Sequence, residues 1–109
     1  MTMQEASERY HIPLHILQEY ECWGFCHGCY HAADIQQLSL ILTLYDIGFS
    51  SQQVEQYVRL VLSPKNTVET RLHMLNTERT RILDNIHLLQ QQLDKVDYLR
   101  FKLSQNHTK

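Results

Sequence analysis

All three cysteines of the chain and two of its seven histidines fall in one run, Cys22-Trp23-Gly24-Phe25-Cys26-His27-Gly28-Cys29-Tyr30-His31. Thiolates and imidazoles at this density are the donors of a tetrahedral zinc site, so Cys22, Cys26, His27, Cys29 and His31 are candidate metal ligands. The pattern holds a single C-x-x-C knuckle (Cys26 to Cys29), whereas the strong zinc signature pairs two. The C-x3-C-x2-C spacing is also that of a radical-SAM cluster, but such enzymes need a barrel, and a barrel of about 250 residues exceeds this chain. Cys26-His27-Gly28-Cys29-Tyr30 lacks the histidine that completes a c-type haem motif. Two other uses stay open: packing of Cys22 and Cys26 as small apolar groups beside Trp23 and Phe25, and redox sensing by an exposed thiol. Zinc aside, no cofactor is expected. Elsewhere the carboxylates are scattered, no glycine-rich phosphate loop occurs, and Ser, His and Asp show no triad spacing, so no enzyme activity is expected.

The elements that position this cluster are legible from apolar periodicity. In the second half Val68, Leu75, Ile82, Leu89, Val96 and Leu103 recur every seventh residue. Leu72, Ile86 and Leu93 stand four residues after three of them, and Arg79 and Arg100 take two further such places. A seven-residue repeat keeps one apolar seam along a helix, and that seam must be buried against another helix. Neither Gly nor Pro follows Pro64. Ser63 as N-cap and Pro64 at the first helical position predict a helix from about 64 to 104, some 60 Å long at about 1.5 Å per residue. A helix of that length outreaches a 60-residue domain, so the chain is expected to form a homodimer through these residues.

The first half reads as short helices. Met3 to Tyr10 forms one, and Pro13 opens a second that runs to about Glu21 with Leu14, Leu17 and Tyr20 turned inward. Gly24 ends the second helix. Ile35, Leu38, Ile41, Leu42 and Tyr45 keep helical spacing from Ala32 to Asp46, where Gly48 stops the helix. Ser50-Ser51-Gln52-Gln53 is a capping box for a last short helix carrying Val54, Tyr57, Val58 and Val61. At most a remnant hairpin fits within 23–31. The fold class is therefore all-α, organised as a domain over 1–62, a dimerisation helix over 63–105 and a flexible tail over 106–109.

Composition agrees with a folded chain: 43% hydrophobic, 20% charged, and few Gly and Pro. No apolar run approaches the ~18 residues of a membrane span, so no membrane partner is expected. The N-terminus lacks the basic start and apolar stretch of a signal peptide, and an odd cysteine count argues against a secreted disulfide scaffold; a cytoplasmic protein is expected. The net charge of -2 hides a split. Residues 1–63 carry two bases against seven acids, and residues 64–109 eight bases against five acids. The acidic half does not attract a polyanion through its field alone.

Two short helices joined by a tight turn, then Gly24-Phe25, then a helix ending in Ile47-Gly48-Phe49-Ser50, resemble the N-terminal half of the MerR family of bacterial transcription regulators. Met3–Cys26 lies without a gap over the family's opening, with Leu17, Tyr20, Glu21 and Gly24 as identities and Ile12 and Phe25 as apolar equivalents. Tyr30 to Val54 overlays the next segment, matching at Tyr30, Asp34, Leu38, Ile41, Leu44, Gly48, Phe49 and Ser50. The long heptad helix falls where the family places its dimerisation helix. The resemblance implies a winged-helix-like helix-turn-helix domain and an antiparallel two-helix coiled coil. It also implies a recognition helix that enters the major groove of double-stranded DNA, and a role in transcription regulation.

The departures fall on DNA-contacting positions. The family arginine of the recognition helix is Gln18 here, its following aromatic is Glu19, and a basic position three residues before the arginine is His15. The wing is shortened between Phe25 and Tyr30, and its arginine falls near Gly28. Losing two always-charged, bidentate arginines while placing Glu19 on the groove face is expected to weaken binding. The residues left to touch DNA are Arg9, His11, His15, Gln18, Tyr20 and Arg59; Gln18 can pair bidentately with adenine. Metal-sensing members place a cysteine where Ser63 stands, so no inducer site is implied. Two functions follow as expectations: a dimeric DNA-binding regulator without an effector domain, or a dimeric protein-interaction module of the same fold that has lost operator binding.

Overall fold

The computed structural model describes residues 1–107 as five helices: α1 (Met3–Tyr10), α2 (Leu14–Cys22), α3 (Ala32–Asp46), α4 (Ser51–Leu62) and α5 (Val68–His107). No strand occurs among the described residues, and the fold is all-α as expected. In place of a wing hairpin, residues 23–31 form turns. One backbone pair anchors them: Tyr30 donates its N–H to Met1 O at 2.7 Å, and the Met1 amino group donates to Tyr30 O at 2.9 Å.

The chain divides into two compact units, Met1–Arg71 and the remainder of α5 from Leu72. In the first unit, three of the four short helices end in the same way. Gly24 N–H bonds to Glu21 O and Phe25 N–H to Tyr20 O; Gly48 N–H bonds to Tyr45 O and Phe49 N–H to Leu44 O. This double bond needs a left-handed residue after the helix, which Gly24 (φ 85°) and Gly48 (φ 101°) supply. At α1 the left-handed place is held by His11 (φ 56°), with Ile12 N–H on Ser7 O. The apolar residue that follows each turn is then driven inward. Ile12 and Phe49 are buried, and the Phe25 ring packs on Tyr20 at 5.3 Å.

Ala6 of α1, Ile16, Leu17 and Tyr20 of α2, Leu38, Ile41 and Leu44 of α3, and Val54, Tyr57 and Val58 of α4 close the core. Leu14, expected inward, is 43% exposed, because the buried stripe of α2 runs through Ile16 instead. The Ser50 capping box forms as expected, with Gln53 N–H on Ser50 Oγ and Ser50 N–H on Gln53 Oε1.

The start of the long helix differs from the expectation. α4 ends at Leu62, Ser63 follows it as an extended residue, and α5 begins only at Val68. Polar side chains account for the delay. Ser63 Oγ accepts from Lys65 N–H, Asn66 Oδ1 accepts from Val68 N–H, and Thr67 Oγ1 donates to Leu60 O. Residues 64–67 thus bind the end of α4 through Thr67 and the start of α5 through Asn66.

In the second unit, the seam expected from the heptads is bare within the single chain. Leu72, Ile82, Ile86, Leu89, Leu93, Val96 and Leu103 are all exposed, as is Val68 just before the unit. Leu75 is half-buried. Arg81 is ion-paired with Glu78, and Arg100 stands 3.5 Å from Asp97. α5 reaches His107, three residues beyond the expected end; of the tail expected over 106–109, the last two positions lie outside the described residues. No helix among the described residues is long and apolar enough to cross a membrane.

Candidate nucleic-acid interface

α2 is short, and its outward surface follows from what its neighbours take. Ile16, Leu17 and Tyr20 are spent on the core. Its two carboxylates are also engaged. Glu19 accepts from the Tyr45 hydroxyl and stands 3.5 Å from Ser51 Oγ; Glu21 accepts from the Tyr30 hydroxyl at 2.9 Å. Both are half-buried. The stripe left outward is Leu14, His15, Gln18 and Cys22, continued at the preceding turn by His11. This corrects the expectation for Glu19, which α3 and α4 draw off the outward face of α2. The exposed face of α2 therefore carries no carboxylate.

The other expected contacts divide. Arg9 is exposed, with its guanidinium 5.6 Å from the Tyr10 ring. Tyr20 is 2% exposed and donates its hydroxyl to Asp34 Oδ1 at 2.7 Å, so it cannot reach a ligand. Asp34 in turn accepts from His31 N–H at 2.9 Å and caps α3, so Tyr20 ties α2 to the start of α3. Arg59 points back into the unit. It donates to Glu55 at 2.9 Å and to Trp23 O at 2.8 Å, with its guanidinium 4.9 Å from the Phe25 ring. These contacts fix the turn after α2 against α4.

The cysteine–histidine run does not assemble. Cys22 and Cys29 are exposed, Cys26 is buried, and His27 and His31 are exposed. Within the run Cys29 Sγ stands 3.9 Å from His31 Nε2. Among the described residues, no group of three or more His, Cys, Asp or Glu side chains is placed to hold a metal ion. Cys22 lies on the outward face of α2, and after the turn at Gly24 Cys26 enters the core, so the five candidate ligands are not brought together in this arrangement. Burial pushes the Cys26 thiol above its usual range, which disfavours the reactive thiolate there.

Tyr20 and Tyr30 are both pushed well above the usual phenol range, first by burial and then by their bonds to Asp34 and Glu21. In the unfolded chain these phenols ionise above about pH 10. The folded state keeps their protons, so stability is full below that pH and falls as pH rises beyond it, by up to about 1.4 kcal/mol per pH unit for each phenol. Urea unfolding between about pH 8 and 11 is expected to show a midpoint that is level and then declines, less steeply in Tyr30→Phe. A midpoint unchanged up to about pH 11 would contradict the buried placement.

Sequence reasoning placed His11, His15 and Gln18 on or beside α2, where all three are exposed, but not the residues that shape their surface. Tyr45 and Ser51, which hold Glu19, carry no local signal. Cys22 was read as a ligand, although its place seven residues after His15 puts it on the same helical face.

No family model matches the chain, and no curated protein matches it. Among solved structures, it is similar to a protein from Listeria monocytogenes provisionally assigned as a MerR family transcriptional regulator. The two share 21% identity over 90% of this chain and 81% of that one, with a TM-score of 0.67. The likeness gives the fold: a MerR-like all-α arrangement with a long C-terminal helix.

Proposed function

We propose that the chain is a dimeric DNA-binding transcription regulator, working in the cytoplasm. In this reading α1 and α2 act as a helix-turn-helix, with the outward face of α2 in the major groove. Two copies join along Leu72, Leu75, Ile82, Ile86, Leu89, Leu93, Val96 and Leu103 of α5 in antiparallel fashion, with Val68 at the margin. The observation that carries the reading is the outward face of α2: both carboxylates are drawn inward, leaving His15 and Gln18 outward. Gln18 reads a base edge, and adenine is the base whose N6 and N7 fit its amide. Arg9 and the imidazoles take backbone phosphates. Arg59, committed to Glu55 and Trp23, acts by holding the turn.

The test is binding to duplex DNA across a salt series. The affinity of a dimer touching several phosphates falls steeply with salt, by about 0.9 log units per log unit of salt for each phosphate neutralised. Gln18→Ala is expected to cost about 1–3 kcal/mol on a preferred site and nothing in thermal stability. A slope near zero favours the second reading, a dimeric module that docks another protein. The engagement of Arg59, one of only two bases in residues 1–63, speaks for that alternative.

A further inference from the structure

We propose that α5 pairs with α5 of a second copy in one register, antiparallel and end to end, fixed by an ion pair between Arg79 of each copy and Asp97 of the other. This deepens the dimer reading and rests on it.

The seam of α5 is apolar except where Arg79 and Arg100 stand. Their surroundings within the chain differ. Arg100 lies 3.5 Å from Asp97, whereas Arg79 is exposed and makes no hydrogen bond or ion pair among the described residues. A charged residue at one seam position selects the pairing that gives it a partner, so the arrangement of two copies turns on Arg79. Side by side in the same direction, two copies bring like positions together. Arg79 then meets Arg79 and Arg100 meets Arg100, and like charges at a seam oppose that arrangement.

In the opposite direction, two such helices overlap fully when Val68 of one is level with His107 of the other. The heptads then interlock: Leu72 opposes the partner's Leu103, Arg79 its Val96, and Ile86 its Leu89. Every seam residue from Leu72 to Leu103, exposed or half-buried in the single chain, meets a counterpart. Arg79 also falls beside the partner's Asp97, which follows Val96 and is 54% exposed. Arg79 and Asp97 are separated by about five full helical turns, so both lie on one flank of the seam, and turning one helix end for end brings those flanks together. The other acids beyond Leu72 are differently placed. Glu78 is buried and paired with Arg81, and Asp84 and Asp94 stand off the seam. Asp97 thus lies between its own Arg100 and the partner's Arg79, once at each end of the pair.

Sliding by one heptad removes this fit. One way, Leu72 and Leu75 lose their counterparts and Arg79 falls beside Ser104. The other way, Arg100 gains Glu69, but Leu103 runs past the start of the partner's helix and Arg79 falls beside Gln90.

The experiment measures dimer dissociation of the intact chain by sedimentation, with helix content followed by circular dichroism. Asp97→Arg is expected to weaken the dimer by about tenfold or more, since both symmetric pairs are lost and three arginines meet at each end. Adding Arg79→Asp to the same chain is expected to bring the affinity back to within about threefold of wild type. The two positions are about 27 Å apart along one helix, so that rescue acts only between copies. A wild-type dimer with no rescue in the double variant overturns the register and leaves the dimer reading intact. Asp97→Arg dimerising as tightly as wild type, with unchanged helix content, overturns the ion pair. A wild-type monomer overturns the dimer reading, and the register falls with it.

Discussion

Leu89→Asp is expected to turn the proposed dimer into a monomer with a frayed α5. Leu89 is 62% exposed in the single chain and is flanked by Ile82, Ile86, Leu93 and Val96, all exposed. A soluble helix does not leave that stripe in water when a like stripe is available, because each large apolar side chain gains about 1.5–3 kcal/mol on burial. Leu89 also lies near the middle of α5, so in an antiparallel pair the two copies meet close to the two-fold axis. A carboxylate there is desolvated, unpaired and faces its own copy. The cost of an unpaired charge at such a place is about 3–5 kcal/mol, which weakens the dimer by about a thousandfold. Leu89→Met keeps volume and polarity and is expected to cost less than about 1.5 kcal/mol. Sedimentation measures the first effect, and circular dichroism the loss of helix that follows, since a long helix without a packed face is marginal in water. A wild-type chain that sediments as a monomer at micromolar concentration would contradict the seam.

Tyr20→Ala is expected to unfold the first unit, and Tyr20→Phe to leave both its fold and its DNA affinity in place. Tyr20 fills the centre of the unit, packing on Phe25 at 5.3 Å and on Tyr30 at 6.3 Å. Removing such a ring costs about 3–5 kcal/mol, a large part of the stability of a small unit. Phenylalanine keeps the ring and loses only the hydroxyl bond to Asp34, at about 1–2 kcal/mol, because Asp34 retains His31 N–H. The pair of variants separates scaffold from contact. A residue that touched DNA would lose affinity as Tyr20→Phe with little change in melting temperature. Here the opposite is expected: a lower melting temperature and an affinity within about twofold at a temperature where both proteins are folded. Thermal denaturation and duplex binding on the same samples check both halves.

What could be read from sequence was what local rules decide. Gly24 and Gly48 stop helices because the left-handed turn they make is set by a few adjacent residues, and Ser50 caps α4 through Gln53, three positions on. The heptads of α5 are likewise a property of one helix. The orientation of Glu19 was not legible, since its partners Tyr45 and Ser51 are 26 and 32 positions away. Nothing next to Glu19 distinguishes it from the exposed Gln18 before it. Pro64 misled for a related reason: it suits a first helical turn, but Thr67 bonds Leu60 O at the end of α4 while Asn66 accepts from Val68 N–H, which sets the start of α5 at Val68. The cysteine run is close in sequence but crosses a tight turn, with Cys22 exposed on one side of it and Cys26 buried on the other.

The acidic balance of residues 1–63 first counted against DNA. The structure redistributes it: Glu19, Glu21, Asp34 and Glu55 are bonded within the unit, and the outward face of α2 is free of carboxylates. The central claim is that a dimer presents two such faces to one duplex. Selection by the intact protein from random duplexes at low salt tests it most directly. The account predicts enrichment of inverted half-sites with an adenine step in each, lost in Gln18→Ala. Output with no enriched repeat, at any salt concentration at which the protein stays dimeric, would contradict it.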